Sequence, residues 1–571
     1  MEMRQHRGNT PIKTGTTGTI ASAPGSRGGI GDEKPRAKLS RRLQAFFVLG
    51  ALILGYDVSN VASIQASIYS EFGHVELLPW VAIAYTAVNV CVAPLCRRLS
   101  NFGNMRIHFY VYTFFFALGP ALSGAANNMN TVIIGRAITG VGGAGLYHGI
   151  MLYNFVFSTT AAEASRFQAL IGGSFATGLL LGPIVGGSFA RNQNATWRWA
   201  FYINIPFIAL FLLGWRKFLP KLVMPRPSAR WGNVDWVGWV LHTAFFIMAC
   251  SSLIYSGSRW AWSSTPAILS WVFTGLILIA YALQQTLCIW TTSEDRIFPL
   301  DALWCDLRLV GLVALSTTMS TAAYGICLYY TPLFFAFAKG SDPVRSAVDL
   351  MSYIGPFVGI LLVSLFGLPH LGLYKPLYIF GGAMILVGAA LQSRVVAEDA
   401  TSLVMGRLAV IGTGVGTVFQ TGASVFKARA GANPVLEANL ITIFLVSQLG
   451  GVALFTSVGG CIFQNVGFRY VRDAILSGPG GDALKESLKD EDIRQALAGL
   501  ESSILRGADS DMARRLVEAV TKVIGQMYYI VIAAGAVIFL CGCGMRWEKL
   551  NFKDIAERTQ GIESPSDSDR R

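Results

Sequence analysis

Four ionisable side chains, Asp57, Arg136, His148 and Arg407, fall within or at the ends of long apolar stretches of this 571-residue chain. A charge held in lipid is costly, so each should face the protein interior and find a partner. Asp57 is a carboxylate that can alternate between protonated and charged forms; it can equally cap a helix end beside Ser59 and Asn60. Arg136 either serves such a carboxylate or bonds backbone carbonyls and locks two helices together. His148 lies about 18 Å further along the same helix, at ~1.5 Å per residue. It can relay protons or pack, hydrogen-bonded, among Tyr147, Gly149 and Tyr153. The chemistry on offer is proton binding and release rather than bond making. The sequence holds no nucleotide-binding loop and no acyl-transfer triad, and its nine cysteines are scattered without metal-ligand spacing or a disulfide framework. No cofactor is expected.

A second set of polar groups interrupts apolar segments: Asn89, Gln420 and Gln448, with Tyr153, Tyr324 and Tyr329 as aromatic companions. Apolar walls with a few hydrogen bonds suit an amphipathic small molecule. The same aromatics can serve as packing or interface-belt residues.

The elements that must position these groups are membrane helices. The chain is 53% hydrophobic and 14% charged, with a mean hydropathy of +0.49, where a soluble domain carries about 25% charge. Apolar windows of about 20 residues, enough to cross a bilayer, begin near Leu43, Leu78, Ile107, Thr131, Phe167, Trp199, Val234, Pro266, Leu309, Ala347, Pro376, Leu403, Ala438 and Gln526. The expected fold is therefore an all-α polytopic membrane protein with fourteen spans. With the N-terminus inside, the inner loops hold fourteen Lys and Arg and the short outer loops six, which satisfies the positive-inside rule with both termini cytoplasmic. The net charge of +13 thus reads as membrane orientation, not nucleic-acid binding.

Within the window opening at Phe167, Gly178, Gly182 and Gly186 recur every fourth residue, followed by Gly187. On a helix they form a bare stripe that a neighbour can approach closely. Pro183 withholds an N–H from Leu179 and should bend the helix. A long outer loop, 464–525, carries a break at Gly478-Pro479-Gly480-Gly481 and two amphipathic stretches, near Asp482–Leu505 and Asp511–Ile524, expected as short surface helices.

Two segments repeat. Gly135-Arg136 opens the fourth span with Gly143 and Gly145 following; Gly406-Arg407 opens the twelfth with Gly414 and Gly416. With the arginines aligned, the glycines coincide. Two related halves of six spans plus an inserted pair give fourteen, a recurrent transporter design. The expected layout is a basic tail (1–42), a first six-helix bundle (43–220), an inserted two-helix pair (231–290), a second six-helix bundle (305–545) and a C-terminal tail (546–571).

At this point the residues resemble a family. Leu181-Gly182-Pro183 with Gly186-Gly187 looks like the antiporter motif of the major facilitator superfamily, in its fourteen-span drug:proton antiporter branch of fungal type. Gly135-Arg136, the run Trp197-Arg198-Trp199-Ala200-Phe201-Tyr202-Ile203-Asn204-Ile205-Pro206, Val234-Asp235-Trp236-Val237-Gly238 and Tyr330-Thr331-Pro332 add to the resemblance, which spans about Leu43 to Arg546. It implies a proton-coupling role for Arg136, with Asp57, Arg407 and His148 as further candidates. It also implies a conformational role for Gly178, Gly182, Pro183, Gly186 and Gly187. The loop 99–106 departs from the family: Ser100 and Asn104 replace the expected Asp and first Arg, so any charge latch there must be weakened or rebuilt from Arg97, Arg98 and Arg106. The expected activity is proton-coupled export of a hydrophobic or amphipathic toxin, drug or secondary metabolite, by a monomer in the plasma membrane. The alternatives are proton-coupled uptake of a siderophore-like compound, which the antiporter motif opposes, and a non-transport membrane sensor.

Overall fold

Close helix packing dominates the molecule from its first described helix. In the computed structural model α1 (Arg41–Ser59) and α2 (Val61–Phe72) run almost end to end. They are followed by α3 (Leu78–Leu99), α4 (Met105–Gly124), α5 (Met129–Phe157), α6 (Ala161–Arg191), α7 (Trp199–Tyr202) and α8 (Asn204–Phe218). The described residues are 40–73, 77–158, 160–192, 194–223, 231–431, 433–477, 489–497 and 510–552. The tail before residue 40, the Gly478–Gly481 break, most of the Asp482–Leu505 stretch and the chain beyond 552 lie outside them.

α9 (Trp236–Tyr255) and α10 (Thr265–Leu287) form an antiparallel pair. Then come α11 (Leu300–Cys305), α12 (Leu312–Lys339), α13 (Pro343–Asp349), α14 (Met351–Leu371), α15 (Lys375–Gln392), α16 (Thr401–Val418), α17 (Thr421–Ala430) and α18 (Pro434–Leu476). A short helix α19 (Asp490–Leu497) and the long α20 (Ser510–Gly544) complete the fold. Among the described residues there is no named strand, and twelve helical segments are long and apolar enough to cross a membrane. α4 and α5, of 20 and 29 residues, fall outside that set.

The helix starts follow local chemistry. Ser40, Asn104, Asn128, Thr160, Asp235 and Asn433 each accept a backbone N–H of the first turn of the helix they precede, filling donors that a helix start leaves open. α6 stays helical through Pro183. Its glycine stripe lies directly on α1: a Cβ on Gly178 would stand 2.0 Å from Leu52 O, and one on Gly182 2.0 Å from Ser59 Oγ. Gly55 of α1 meets α6 reciprocally, at 2.0 Å from Phe175 O. Only a residue without a Cβ admits this approach.

Two boundaries differ from the sequence expectation. The outer loop is shorter than 464–525, because α18 runs 43 residues to Leu476, roughly 65 Å at ~1.5 Å per residue. The Asp511–Ile524 stretch is the first half of α20, not a separate surface helix. Amphipathic periodicity marks one buried face but cannot say whether a helix ends where it leaves the bilayer. α19 packs Ile493, Ala496 and Leu497 inward, and Arg494 donates to Gln464 Oε1 and Gly257 O. It thereby fastens α18 to the turn between α9 and α10.

Candidate functional site

Arg136 and Asp57 meet. Arg136 Nη1 lies 2.6 Å from Asp57 Oδ2, with side chains 1% and 0% exposed. Asn204 Nδ2 donates to the other carboxylate oxygen at 2.9 Å, so both oxygens are used. Arg136 Nε donates to Val81 O at 3.3 Å, and the guanidinium lies over the rings of Tyr85 (5.0 Å) and Phe201 (6.0 Å). The pair is thus compensated on every side, as a buried ion pair must be to persist. Asn60 Nδ2 and Tyr56 OH both donate to Ala200 O at 2.9 Å, holding α1 against the α7–α8 junction. Four elements, α1, α3, α5 and α8, converge on this charge pair.

Beside the pair is a central cavity of about 50 Å³. Tyr85 links the two: one face of its ring meets Arg136, and the residue lines the cavity. Asn89, one helical turn along α3, lines the same space, as do Tyr324, Phe419 and Gln448. A second cavity of about 130 Å³ opens beyond it, away from the face where residues 40 and 545–552 lie; Gln65, Tyr329, Thr456 and Phe463 are on its walls.

Toward the terminal face the cavity is closed. Tyr147 OH donates to Gln448 Oε1 (3.0 Å) and accepts from Gln420 Nε2 (2.9 Å), while Gln168 Nε2 donates to Gln420 Oε1 (3.0 Å). These bonds join α5 and α6 to the α16–α17 junction and α18. Further out, Lys427 Nζ reaches Phe155 O (2.8 Å) and Glu437 Oε1 (2.5 Å). Arg97 binds Asn439 Oδ1 and the carbonyls of Arg296 and Ile297, and Arg98 binds the carbonyls of Glu294 and Arg296. The altered loop 99–106 is therefore bypassed: Arg97 and Arg98 clamp the backbone that follows α10, whereas Arg106 turns away to Arg216 O and Tyr110.

The other candidates sort by geometry. Asn89, Tyr324 and Gln448 line the central cavity and Tyr329 the second one. Gln420 stands behind the cavity, its amide committed to Tyr147 and Gln168. Tyr153 is not a cavity residue: its ring packs on Phe47, Phe109 and Phe157 and its hydroxyl bonds Pro220 O. It sits six residues, about 600° at ~100° each, past Tyr147, so it projects from another face. His148 is fully buried with neither ring nitrogen hydrogen-bonded, and no hydrogen-bonded chain joins it to Asp57 among the described residues. Arg407 pairs with Asp399 at 2.6 Å, each 16% exposed.

The repeat explains this last difference. Gly140 abuts Tyr85 O of α3 and Gly142 abuts Phe116 of α4; in the second copy Gly412 abuts Tyr353 O of α14 and Gly414 abuts Gly381 O of α15. The spatial repeat therefore pairs Gly140 with Gly412 and Gly142 with Gly414. That is one residue out of step with the arginine-based alignment. Arg136 corresponds in space to Leu408, which is fully buried, and Arg407 is turned about 100° from it. Tyr85, Tyr147 and Asn204 are site residues that sequence reasoning passed over. The i, i+4 pairing of Tyr85 with Asn89 in an apolar span was the available signal for the first.

A two-sided helical bundle with a central cavity and a buried charge pair fits a known family. Residues 47–455 match the Major Facilitator Superfamily. The chain belongs to this superfamily. Efflux pump patC of Aspergillus clavatus is 30% identical over 87% of this chain and 89% of its own length. MFS-type transporter patC of Penicillium expansum is 30% identical over 86% and 88%, and efflux pump alnA of Emericella nidulans 29% over 87% and 88%. Among solved structures, the proton:xylose symporter XylE bound to 6-bromo-6-deoxy-D-glucose superposes with a TM-score of 0.55 at 12% identity, covering 90% of this chain and 98% of that one. The human organic anion transporter MFSD10 gives 0.54 at 12%, covering 86% and 99%. These likenesses show the fold. This facilitator is a multi-pass membrane transporter of small molecules, not an enzyme.

Proposed function

We propose that this facilitator exports a hydrophobic or amphipathic secondary metabolite or toxin in exchange for protons. Its relatives named efflux pumps, at 28–30% identity over most of the chain, support the direction. In this reading fourteen helices cross the membrane, α4 and α5 included. They form two six-helix bundles (43–220 and 305–545) joined by the inserted pair (231–290), with both termini in the cytoplasm and the monomer in the plasma membrane. The observation that carries it is Tyr85, whose ring covers Arg136 and whose side chain also lines the central cavity. A change at either site is felt at the other.

In the paired state Asp57 draws α1, α5 and α8 together. A proton arriving on Asp57 Oδ2 removes the charge that holds Arg136 Nη1, and the Asn204 bond alone remains on the carboxyl. α1 can then shift along the glycine seam of α6, and the bundles rock about the cavity. The bonds of Tyr147, Gln420, Lys427, Arg97 and Arg98 close the cytoplasmic side while the outer cavity is open. They must break when the transporter faces inward. Such population shifts need each ligand to favour one state. The test uses proteoliposomes loaded with a candidate metabolite. An imposed proton gradient should drive counterflow, and Asp57→Asn should abolish the gradient dependence. Transport that ignores the gradient would sink the antiport reading.

A further inference from the structure

The central cavity is lined by no charged side chain among the described residues. Its nearest charges, Asp57 and Arg136, already neutralise one another at 2.6 Å. A charged ligand would lose its hydration there with nothing to replace it. Most polar groups on the walls are satisfied: Thr86 Oγ1 donates to Ile83 O, and Tyr147 and Gln448 bond each other. Two are not. Asn89 Oδ1 and the Tyr324 hydroxyl are buried, line this cavity and have no hydrogen-bond partner.

Both orphans stand on packed helices. Asn89 is 2% exposed on α3, and the Tyr324 ring packs on Phe419 (5.2 Å) and Phe357 (6.3 Å). They stand on different helices, α3 and α12, one from each side of the molecule. Buried polar atoms in native proteins are nearly always paired, and two orphans among satisfied polar groups and apolar walls are the pattern of a ligand site. Asn89 Oδ1 requires a donor. The Tyr324 hydroxyl can give its hydrogen to an acceptor.

We propose that this cavity selects an uncharged, oxygenated molecule with a hydroxyl and a carbonyl, the hydroxyl donating to Asn89 Oδ1 and the carbonyl accepting from the Tyr324 hydroxyl. Leu54, Val58, Leu449 and Val452 supply the apolar walls. Such a ligand bridges α3 and α12 one helical turn from Tyr85, whose ring meets Arg136. The proposal rests on reading the cavity as the transport site. Its test is binding to the detergent-purified full chain with no gradient, so it succeeds or fails independently of proton coupling.

The probes are five compounds substituted at one shared ring position: hydroxymethylcoumarin, methylcoumarin, hydroxymethylchromene, coumarin carboxylate and aminomethylcoumarin. Hydroxymethylcoumarin should bind best. Removing the hydroxyl or the carbonyl should each weaken binding about tenfold, and either charged group at least as much. Asn89→Leu should erase the hydroxyl preference alone and Tyr324→Phe the carbonyl preference alone, with unchanged melting midpoints showing that both variants fold. Equal affinity for all five probes, tighter binding of a charged one, no binding at all, or variants that weaken every probe alike would each overturn the proposal. A chain that binds as expected but shows no proton-driven export overturns the function proposed above and leaves the selectivity intact.

Discussion

Helices α5 and α16 begin with the same Gly-Arg pair and a run of glycines, yet they hold opposite environments. Arg136 is enclosed by a carboxylate, a backbone carbonyl and two aromatic faces. Arg407 pairs near the surface with Asp399 of the preceding turn. Gly135 is wedged against α4, where a Cβ would lie 2.3 Å from Ser123 Oγ, whereas Gly406 has nothing within 4 Å. A single residue of register accounts for this. Rotating a helix by about 100° turns the same side chain from core to periphery, so one copy supplies a buried charge site and the other a plain wall.

The largest test of that contrast is Arg136→Ala. It leaves Asp57 charged and buried with only Asn204, and should cost about 3–5 kcal/mol, read as a lowered melting midpoint in detergent. The double variant Asp57→Leu/Arg136→Met removes both charges and should be more stable than Arg136→Ala; if it is less stable, the pair is not the coupled unit described. Next in size, Gly135→Ala should destabilise by about 1–3 kcal/mol through overpacking. Gly406→Ala should be neutral, or stabilising by up to about 1 kcal/mol as a helical Gly replaced by Ala. Equal effects from the two would refute the shifted register. Smallest of all, Arg407→Gln should change stability by about 0–1 kcal/mol, in the range of a partly exposed pair. It should leave transport rates within twofold. A transport-dead Arg407→Gln would restore the symmetric reading in which both arginines couple.

The contrast extends to what was legible in the chain. The Gly178–Gly186 stripe was readable because its consequence is local: four-residue spacing places bare positions on one helix face, and that face meets α1. Asp57 and Arg136 were readable as interior charges because lipid forbids them elsewhere. Tyr153 misled, since an aromatic side chain in an apolar span looks alike whether it faces a cavity or a cluster of Phe47, Phe109 and Phe157. Tyr147, six residues earlier, holds the cavity position. Gln420 was sensed as polar and interior, but its partners Tyr147 and Gln168 come from distant helices that no spacing rule connects.

Composition and periodicity by themselves determined that this is a helical membrane protein, that its glycine seam is tightly packed, and that Asp57 and Arg136 lie in its interior. Those properties follow from the bilayer and from 3.6-residue periodicity, which act on neighbouring residues. The tertiary structure alone decided that Asn204 completes the Asp57 site, that Tyr85 stands between the charge pair and the cavity, and that Arg97 and Arg98 clamp the segment after α10. It also decided that the second Gly-Arg is turned outward. Each depends on how one helix is rotated against another, and that rotation is fixed by packing summed over the whole bundle.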